Sequence, residues 1–354
     1  MIVANVGANQ RQLVRTCPFT VPSRGFRVLW EISLNCNLRC KHCFVYDDHV
    51  KHTGNKTLSL DECKAIVDKM RAAGVTEVWL SGGEPLMHKN ILDVIEYLNV
   101  NDIRPSLSTN GVLLTESKVA SLDRHGVRYI HVSIDGVDAD IHDEVRGVRG
   151  SFDRLMANLD ILKRYPRIQV GVTFVLNRLN ASRIVDFLEL SLQRGIGRVS
   201  FYPIVPMANE TIDETLLLSK ESLIEIQNQL AVYQERYADR TLIELIRMES
   251  DASLRPLQPC HGEKFLSLNS KGELGPCPWY NQTPAGFTVG NVLDNDMLPL
   301  ISDVAARFQE AMRERRKSLP KCGSCEVNMT CGGGCPAASP GYDPLCNNGD
   351  LSLV

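Results

Sequence analysis

Three cysteines stand close together directly after a mostly apolar stretch of the sequence. Cys36, Cys40 and Cys43 are separated by three and two residues, and they follow the run 28–32. On a loop that leaves a strand, this spacing can bring three thiolates to one small volume. Three sulfur ligands on a [4Fe–4S] cluster leave one iron free to bind a substrate or a cofactor. A zinc site needs a fourth Cys or His nearby, for which His42 is a candidate, so the triplet alone also leaves zinc or a redox cysteine open.

The composition restricts the classes of protein to consider. The chain has 354 residues, of which 44% are hydrophobic and 23% charged, and its formal net charge is −3. These values are ordinary for a globular protein, and they give no basic field for nucleic acid. The first residues lack the layout of a signal peptide, and no run reaches the ~18 apolar residues that a membrane span needs. We therefore expect a cytoplasmic protein without a nucleic-acid or membrane partner.

The cysteines are distributed unevenly along the chain. Seven of the twelve follow residue 259. In a chain without a secretion signal, so many cysteines favour metal ligation in a reducing compartment over disulfides. Their clustering predicts a separate, cysteine-rich module at the C-terminus, whereas Cys17 and Cys63 are expected to ligate nothing.

The elements that must position the first three cysteines alternate between strand and helix patterns. A capping box at 59–62 begins a helix that ends at Gly74 and places Cys63 on its buried face. The predicted strands are 28–33, 76–81, 106–108, 129–134, 170–175 and 198–202, and the predicted helices between them are 59–74, 91–98, 116–125, 152–164 and 184–194. This alternation indicates an α/β fold with a parallel sheet and right-handed crossovers. Six units are too few for a closed eight-fold barrel, so we predict a partial (βα)6 barrel with functional residues at the C-terminal strand ends.

Changes in composition divide the chain into four predicted segments. They are an N-terminal arm (1–26), the barrel (27–206), bridging helices (207–255) and a cysteine-rich domain (256–354). The bridging segment carries a helical pattern at 219–237 and a second apolar stretch at 242–246. The last segment is rich in Gly, Pro and Cys, with one helix at 301–316, so metal clusters rather than a large core should hold it together.

Short polar or glycine-rich motifs follow four of the predicted strands. They are Ser81–Pro85 (Ser-Gly-Gly-Glu-Pro), Ser108–Gly111, Ser133–Gly136 and Tyr202–Pro206. Paired glycines allow a ligand to approach the backbone closely, because no side chain stands in the way. Each motif alone could be an ordinary turn. Four of them at successive strand ends, all downstream of the three cysteines, favour a single site at that edge of the sheet.

The CxxxCxxC spacing and these strand-end motifs together resemble the radical S-adenosylmethionine (SAM) superfamily over residues 27–206. The resemblance implies that Cys36, Cys40 and Cys43 hold a [4Fe–4S] cluster whose fourth iron is chelated by SAM. It also implies a set of SAM-binding residues. These are the backbone of Gly82, Gly83 and Glu84 for the amino group, Ser108 and Asn110 at the third strand end, Ser133 and Arg146 for the carboxylate and ribose, and Asn177 and Ile204 for the ribose and adenine. One departure is His42, at a position that is often a carbocyclic aromatic residue.

The C-terminal cysteines resemble the seven-cysteine SPASM domain, with four rather than three residues between Gly272 and Cys277. This resemblance implies two auxiliary [4Fe–4S] clusters and therefore three in all. Cys260, Cys277 and Cys335 would hold the first auxiliary cluster, and Cys322, Cys325, Cys331 and Cys346 the second. The alternative is a pair of structural zinc ribbons.

The resemblance implies an oxidoreductase or maturase that reductively cleaves SAM to a 5′-deoxyadenosyl radical, which then abstracts hydrogen from a substrate. The electron donor would be a flavodoxin or ferredoxin. The first hypothesis for the substrate is a ribosomally synthesised peptide that is oxidatively modified or cross-linked, and a separate chain could present it. The alternative is radical oxidation, epimerisation or decarboxylation of a small metabolite such as a sugar, aminoglycoside or nucleoside. A zinc-stapled binding protein is a third, different reading.

Overall fold

Ten strands form one sheet in the parts of the chain that the computed structural model describes, which are residues 25–43, 57–205, 213–245, 265–281 and 287–318. The strands are β1 (Phe26–Ser33), β2 (Val75–Gly82), β3 (Arg104–Thr109), β4 (Tyr129–Ser133), β5 (Gln169–Leu176), β6 (Arg198–Pro203), β7 (Leu242–Leu245), β8 (Phe265–Leu268), β9 (Glu273–Gly275) and β10 (Gly290–Asn291). Their spatial order is β10-β9-β8-β1-β2-β3-β4-β5-β6-β7.

Helices connect these strands. They are α1 (Leu60–Ala72), α2 (Ile91–Val100), α3 (Glu116–Arg124), α4 (Ala139–Arg146), α5 (Ser151–Leu162), α6 (Ile184–Gln193), α7 (Lys220–Arg236), α8 (Pro278–Asn281) and α9 (Met297–Ser318). The capping box of α1 is present, with Ser59 Oγ accepting from Glu62 N and Glu62 Oε2 accepting from Ser59 N at 2.7 Å. Cys63 lies on the buried face of this helix, as predicted.

The sheet confirms the predicted α/β fold and the partial barrel. Every neighbouring pair from β8 through β1 to β7 is parallel, and the sheet is not closed. Only the β8–β9 and β9–β10 pairs are antiparallel among the described strands. Since parallel strands end at one edge, the segments after β1, β2, β3 and β4 meet there.

Four strands extend the sheet beyond the six units that the sequence predicted, with β7 next to β6 and with β8, β9 and β10 on the other side of β1. The apolar stretch grouped with the bridging helices forms strand β7 and pairs with β6. Phe265–Leu268, in the segment predicted as cysteine-rich, pairs in parallel with β1. Helix α4 was also not predicted; it begins after the N-cap Asp138, whose side chain accepts from Ile141 N, and ends at Gly147 in the left-handed conformation.

The alternation of side chains along the strands builds the core. In β1, Val28, Trp30 and Ile32 are fully buried in the cluster that the helices cover. The opposite face of the sheet carries buried polar residues as well, among them Glu77 and His131. Burial of both faces is typical of parallel sheets. None of the described helices is long and apolar enough to cross a membrane.

Candidate functional site

The three N-terminal cysteines lie on the loop that follows β1, which we call the cysteine loop (residues 34–43). None of the three forms a disulfide, and each is of intermediate exposure. The loop packs on the C-terminal end of α4, where Arg39 N donates to Arg146 O (3.1 Å) and Lys41 N donates to Val145 O (2.9 Å). These bonds satisfy carbonyls that a helix end leaves without an intrahelical partner. The cysteine loop is therefore held by backbone contacts, and Lys41 adds an ion pair to Glu144.

The Ser-Gly-Gly-Glu-Pro segment holds the other side of the cysteine loop. Gly83 N donates to Ser33 O and Glu84 N to Asn35 O, each at 2.7 Å. A Cβ on Gly83 would lie 2.4 Å from Asn35 O, and Gly82 has a φ of +120° with Ser33 O 2.2 Å from its would-be Cβ. The glycines are thus required first by the approach of the chain's own backbone, a reason that the sequence alone did not reveal.

Glu84 joins this segment to the end of β3 through its side chain. The side chain is fully buried, and its carboxylate accepts from Thr109 Oγ1 (2.8 Å), Asn110 N (2.8 Å) and Leu86 N (3.1 Å). Burial raises the pKa of Glu84 to about 7, against the effect of these three hydrogen bonds. The sequence predicts only a backbone role for Glu84, and the structure adds a role for its side chain.

Replacing Glu84 by glutamine tests this connection. Both carboxylate oxygens accept hydrogen bonds, so an NH₂ group must face a donor at one of them. At pH 5, below the raised pKa of Glu84, the wild-type carboxyl is protonated and both of its oxygens can still accept hydrogen bonds. At that pH we expect the free energy of unfolding of the cluster-free protein to fall by ~1–3 kcal/mol in the glutamine variant. Chemical denaturation measures the difference, with Glu96→Gln on the exposed face of α2 as the matched control. Equal stability of the two variants would contradict the structural role.

Asn110 lies between Glu84 and the cysteine loop. Its Nδ2 donates to Asn37 Oδ1 at 2.8 Å and lies 3.9 Å from Cys36 Sγ. Burial raises the pKa of the Cys36 thiol, which the hydrogen bond from Leu38 N at 3.4 Å partly offsets. The end of β3 therefore contacts the first cysteine directly.

On the far side of the loop, Arg146 lies against Cys40. The side chain of Arg146 is 8% exposed, with Nη1 3.5 Å from Cys40 Sγ and Nε 2.7 Å from Asp135 Oδ2. The Nε–H does not point along the line to that oxygen, so the contact is an ion pair rather than a linear hydrogen bond. Burial raises the pKa of the Cys40 thiol, whereas the positive charge of Arg146 lowers it.

Two histidines border the same acid. His42 Nε2 lies 3.5 Å from Asp135 Oδ2, and His142 Nδ1 accepts from Asp135 N at 3.2 Å. Burial lowers the pKa of both rings to about 4, so both are neutral at neutral pH. The departure at position 42 thus places a neutral, polar ring beside the buried carboxylate.

The remaining predicted SAM-binding residues lie farther along the same edge. Ser108 and Ser133 are half-buried at the ends of β3 and β4. Asn177 is fully buried, and its side chain stabilises a turn by accepting from Leu179 N (2.9 Å) and donating to Val175 O (3.0 Å). Ile204 packs in a small apolar cluster with Leu216 and Leu217. Their predicted contacts with SAM remain predictions.

Of the seven C-terminal cysteines, the described residues include only Cys277, which lies between β9 and α8 and forms no disulfide. The predictions for the others, Cys260, Cys322, Cys325, Cys331, Cys335 and Cys346, lie outside the described residues. Within the described ranges, no three His, Cys, Asp or Glu side chains are grouped so that they could hold a single metal ion.

The donor set of the cysteine loop fits an iron–sulfur cluster. None of its three cysteines forms a disulfide, and the loop lies at the C-terminal edge of the sheet, where the Gly82–Glu84 segment and the end of α4 hydrogen-bond to it. Thiolates are the ligands of such clusters, and hydrogen-bond donors near their sulfurs stabilise the bound form. Arg146 and Asn110 supply donors near Cys40 and Cys36.

Comparison with known proteins identifies the class. A family model described as the radical SAM superfamily matches residues 30–191. Fe-coproporphyrin III synthase of Methanosarcina barkeri is 32% identical over 336 residues, which cover 86% of this chain and 82% of that protein. Mycofactocin maturase MftC of Mycolicibacterium smegmatis is 27% identical over 337 residues, covering 90% and 82% respectively.

A solved structure has the same fold. Streptococcus suis SuiB bound to S-adenosylmethionine aligns with a TM-score of 0.71 at 18% identity, covering 91% of this chain and 77% of that one. Together with the 32% identical relative, the family match shows that the chain belongs to the radical SAM superfamily. It is an enzyme of that superfamily, which uses SAM and an iron–sulfur cluster. The predicted SPASM domain and its auxiliary clusters stay predictions.

Proposed function

We propose that Cys36, Cys40 and Cys43 hold a [4Fe–4S] cluster at which SAM is reductively cleaved. The observation that carries this proposal is the cysteine loop itself, fixed between the Gly82–Glu84 segment and the end of α4. When bound, the cluster and SAM supply a 5′-deoxyadenosyl radical that removes a hydrogen atom from the substrate.

The surrounding residues have separate tasks in this proposal. The backbone of Gly82, Gly83 and Glu84 meets the amino group of SAM, and Ser133 and Arg146 meet its carboxylate and ribose. Ser108 and Asn110 complete the third strand end, and Asn177 and Ile204 border the ribose and adenine. Glu84 keeps the first of these segments in place, because its buried carboxylate ties it to Thr109 and Asn110.

The C-terminal cysteines are proposed to hold two auxiliary [4Fe–4S] clusters as a SPASM domain. The first set is Cys260, Cys277 and Cys335, and the second is Cys322, Cys325, Cys331 and Cys346. These clusters accept or relay an electron from the substrate radical. A flavodoxin or ferredoxin is the proposed donor to the first cluster.

For the substrate, we propose a ribosomally synthesised peptide that is oxidatively modified or cross-linked. Supporting this, one relative is named as a maturase, and SuiB has been crystallised with its precursor peptide SuiA. A second chain that presents the peptide is compatible with this proposal. The second candidate is a small metabolite, favoured by the 32% identical relative, whose name describes the synthesis of Fe-coproporphyrin III.

Iron analysis tests the number of clusters. Three clusters of four irons predict about twelve irons per anaerobically reconstituted chain, and replacement of Cys36, Cys40 and Cys43 together by alanine should leave about eight. Zinc should be absent. Loss of all iron from the triple variant would refute independent clusters, and zinc in place of iron would support the zinc-stapled binding protein.

The substrate is tested by SAM turnover in the presence of candidates. The reduced enzyme is incubated with SAM and either a short peptide encoded beside its gene or a pool of small metabolites. A mass change in the peptide, together with 5′-deoxyadenosine, supports the maturase. Deoxyadenosine that depends on the metabolites, with an unchanged peptide, supports the second candidate.

A further inference from the structure

Asp135 is a fully buried acid that joins the cysteine loop to three other segments at the edge of the sheet. One carboxylate oxygen, Oδ1, accepts from Val175 N in β5 at 2.7 Å. Its backbone N donates to His142 in α4 at 3.2 Å, and its carbonyl accepts from Asn180 Nδ2 at 3.1 Å. These three bonds already account for a structural role, and none of them needs a negative charge.

The second oxygen of Asp135 has a different environment. Oδ2 lies 2.7 Å from Arg146 Nε and 3.5 Å from His42 Nε2. The planar guanidinium of Arg146 has its donors in a fixed fork, so a contact at Nε determines where Nη1 points. Nη1 lies 3.5 Å from Cys40 Sγ.

The backbone of Arg146 fixes this arrangement from the other side. Its carbonyl accepts from Arg39 N at 3.1 Å, so the residue is tied to the cysteine loop through main chain and side chain together. Gly147 follows with a φ of +71°, and a Cβ there would lie 2.2 Å from Arg39 O. Arg146 therefore has little freedom to move away from Cys40.

Charges near a cluster sulfur affect its redox chemistry. The potential of an iron–sulfur cluster depends on the net charge around it and on hydrogen bonds to its sulfurs. A cation beside a sulfur favours the reduced, more negative cluster, and an anion opposes reduction. At short distances inside a protein these effects are screened far less than in water.

We propose that the carboxylate of Asp135 offsets the charge of Arg146 beside Cys40, so that the pair sets the reduction potential of the cluster. This inference rests on the proposed function, because it requires the cluster to be bound by Cys36, Cys40 and Cys43. Asp135 acts through Arg146 and through space; it is not assigned a contact with SAM or substrate.

Potentiometric titration followed by electron paramagnetic resonance tests the proposal. Arg146→Gln removes the cation, so the midpoint reduction potential of the cluster should become more negative than in the wild type. Asp135→Asn keeps an oxygen for Val175 N and removes the anion, so the midpoint should become less negative. The double variant should lie between the two single variants.

The control is Asp123→Asn. Asp123 is also a buried carboxylate paired with arginines, Arg128 and Arg167, but it lies on α3 just before β4, at the opposite edge of the sheet. The midpoint potential of the cluster in Asp123→Asn should equal that in the wild type. If the role of Asp135 were purely structural, the midpoint potential of the cluster in Asp135→Asn would equal that of the wild type or fall as in Arg146→Gln. Either result overturns the proposal.

Two further variants separate the possible failures. If the Asp135 variant does not take up iron, Arg146→Lys keeps the charge without the fork, and its midpoint should lie between the wild type and Arg146→Gln. A midpoint at or below that of Arg146→Gln would overturn the proposal. The resonance followed in these titrations is the one that disappears when Cys36, Cys40 and Cys43 are all alanine, since auxiliary clusters keep their own signals. If that triple variant kept every wild-type resonance, the proposed function would be refuted instead.

Discussion

Replacement of Cys40 by alanine is expected to reduce formation of 5′-deoxyadenosine to the level seen without enzyme. Two cysteines cannot supply the three protein ligands that leave a single iron open for SAM. A cation also lies beside Cys40, since Arg146 Nη1 is 3.5 Å from its sulfur. The measurement is product formation by anaerobically reconstituted protein with SAM and dithionite. Cys36→Ala and Cys43→Ala should behave in the same way.

The fold should survive this change, because the cysteine loop lies at the edge of the sheet and its three cysteines are of intermediate exposure. Circular dichroism checks that expectation. Cys63→Ala is the matched control, since Cys63 is a free cysteine buried in the core on α1. It should lose some stability, ~1 kcal/mol, through the small cavity, but it should keep its iron and its activity. Deoxyadenosine formation by Cys40→Ala at the wild-type rate would refute the proposed mechanism.

The sequence predicted the part of the fold in which local pattern and burial agree. β1 and β5 carry long apolar runs because both faces of a parallel strand are covered, and the helices between strands begin or end at recognisable caps. Strand β7 has only four residues, too few for periodicity to distinguish a strand from a short helical stretch. Strand β8 follows no such pattern, and its place beside β1 depends on a contact between residues more than 200 positions apart.

The candidate site was predictable as a set of segments but not as a set of contacts. Motif spacing grouped Gly83, Asn110 and Arg146 with the cysteines, and the structure places all three against the cysteine loop. The sequence does not single out Asp135, because Asp followed by Gly is a common turn signal. Its partners Val175 and Arg146 are distant in sequence, so nothing local indicates that its carboxylate is buried between them.

Substitution of Gly83 is the second change for which we expect a large effect, because this residue makes a close backbone contact that its motif does not indicate. The sequence indicated a glycine that lets SAM approach, whereas the structure shows that a Cβ would meet Asn35 O at 2.4 Å and Leu34 O at 2.6 Å. Both atoms belong to backbone just before Cys36, and no flexible side chain can give way. Gly83→Ala should therefore separate the Gly82–Glu84 segment from the cysteine loop.

Equilibrium binding of SAM to the reconstituted protein measures the effect of Gly83→Ala, which should weaken affinity by at least about tenfold, or about 1.4 kcal/mol. Gly83→Val should weaken it further, since a branched side chain adds bulk at the same contact. Gly197→Ala is the matched control, because no atom lies within 4 Å of its would-be Cβ. Unchanged affinity in both Gly83 variants would remove this segment from the SAM site. If SAM binds more weakly while the iron content is normal, the cluster is intact. The weaker affinity then results from displacement of the Gly82–Glu84 backbone and not from loss of the cluster.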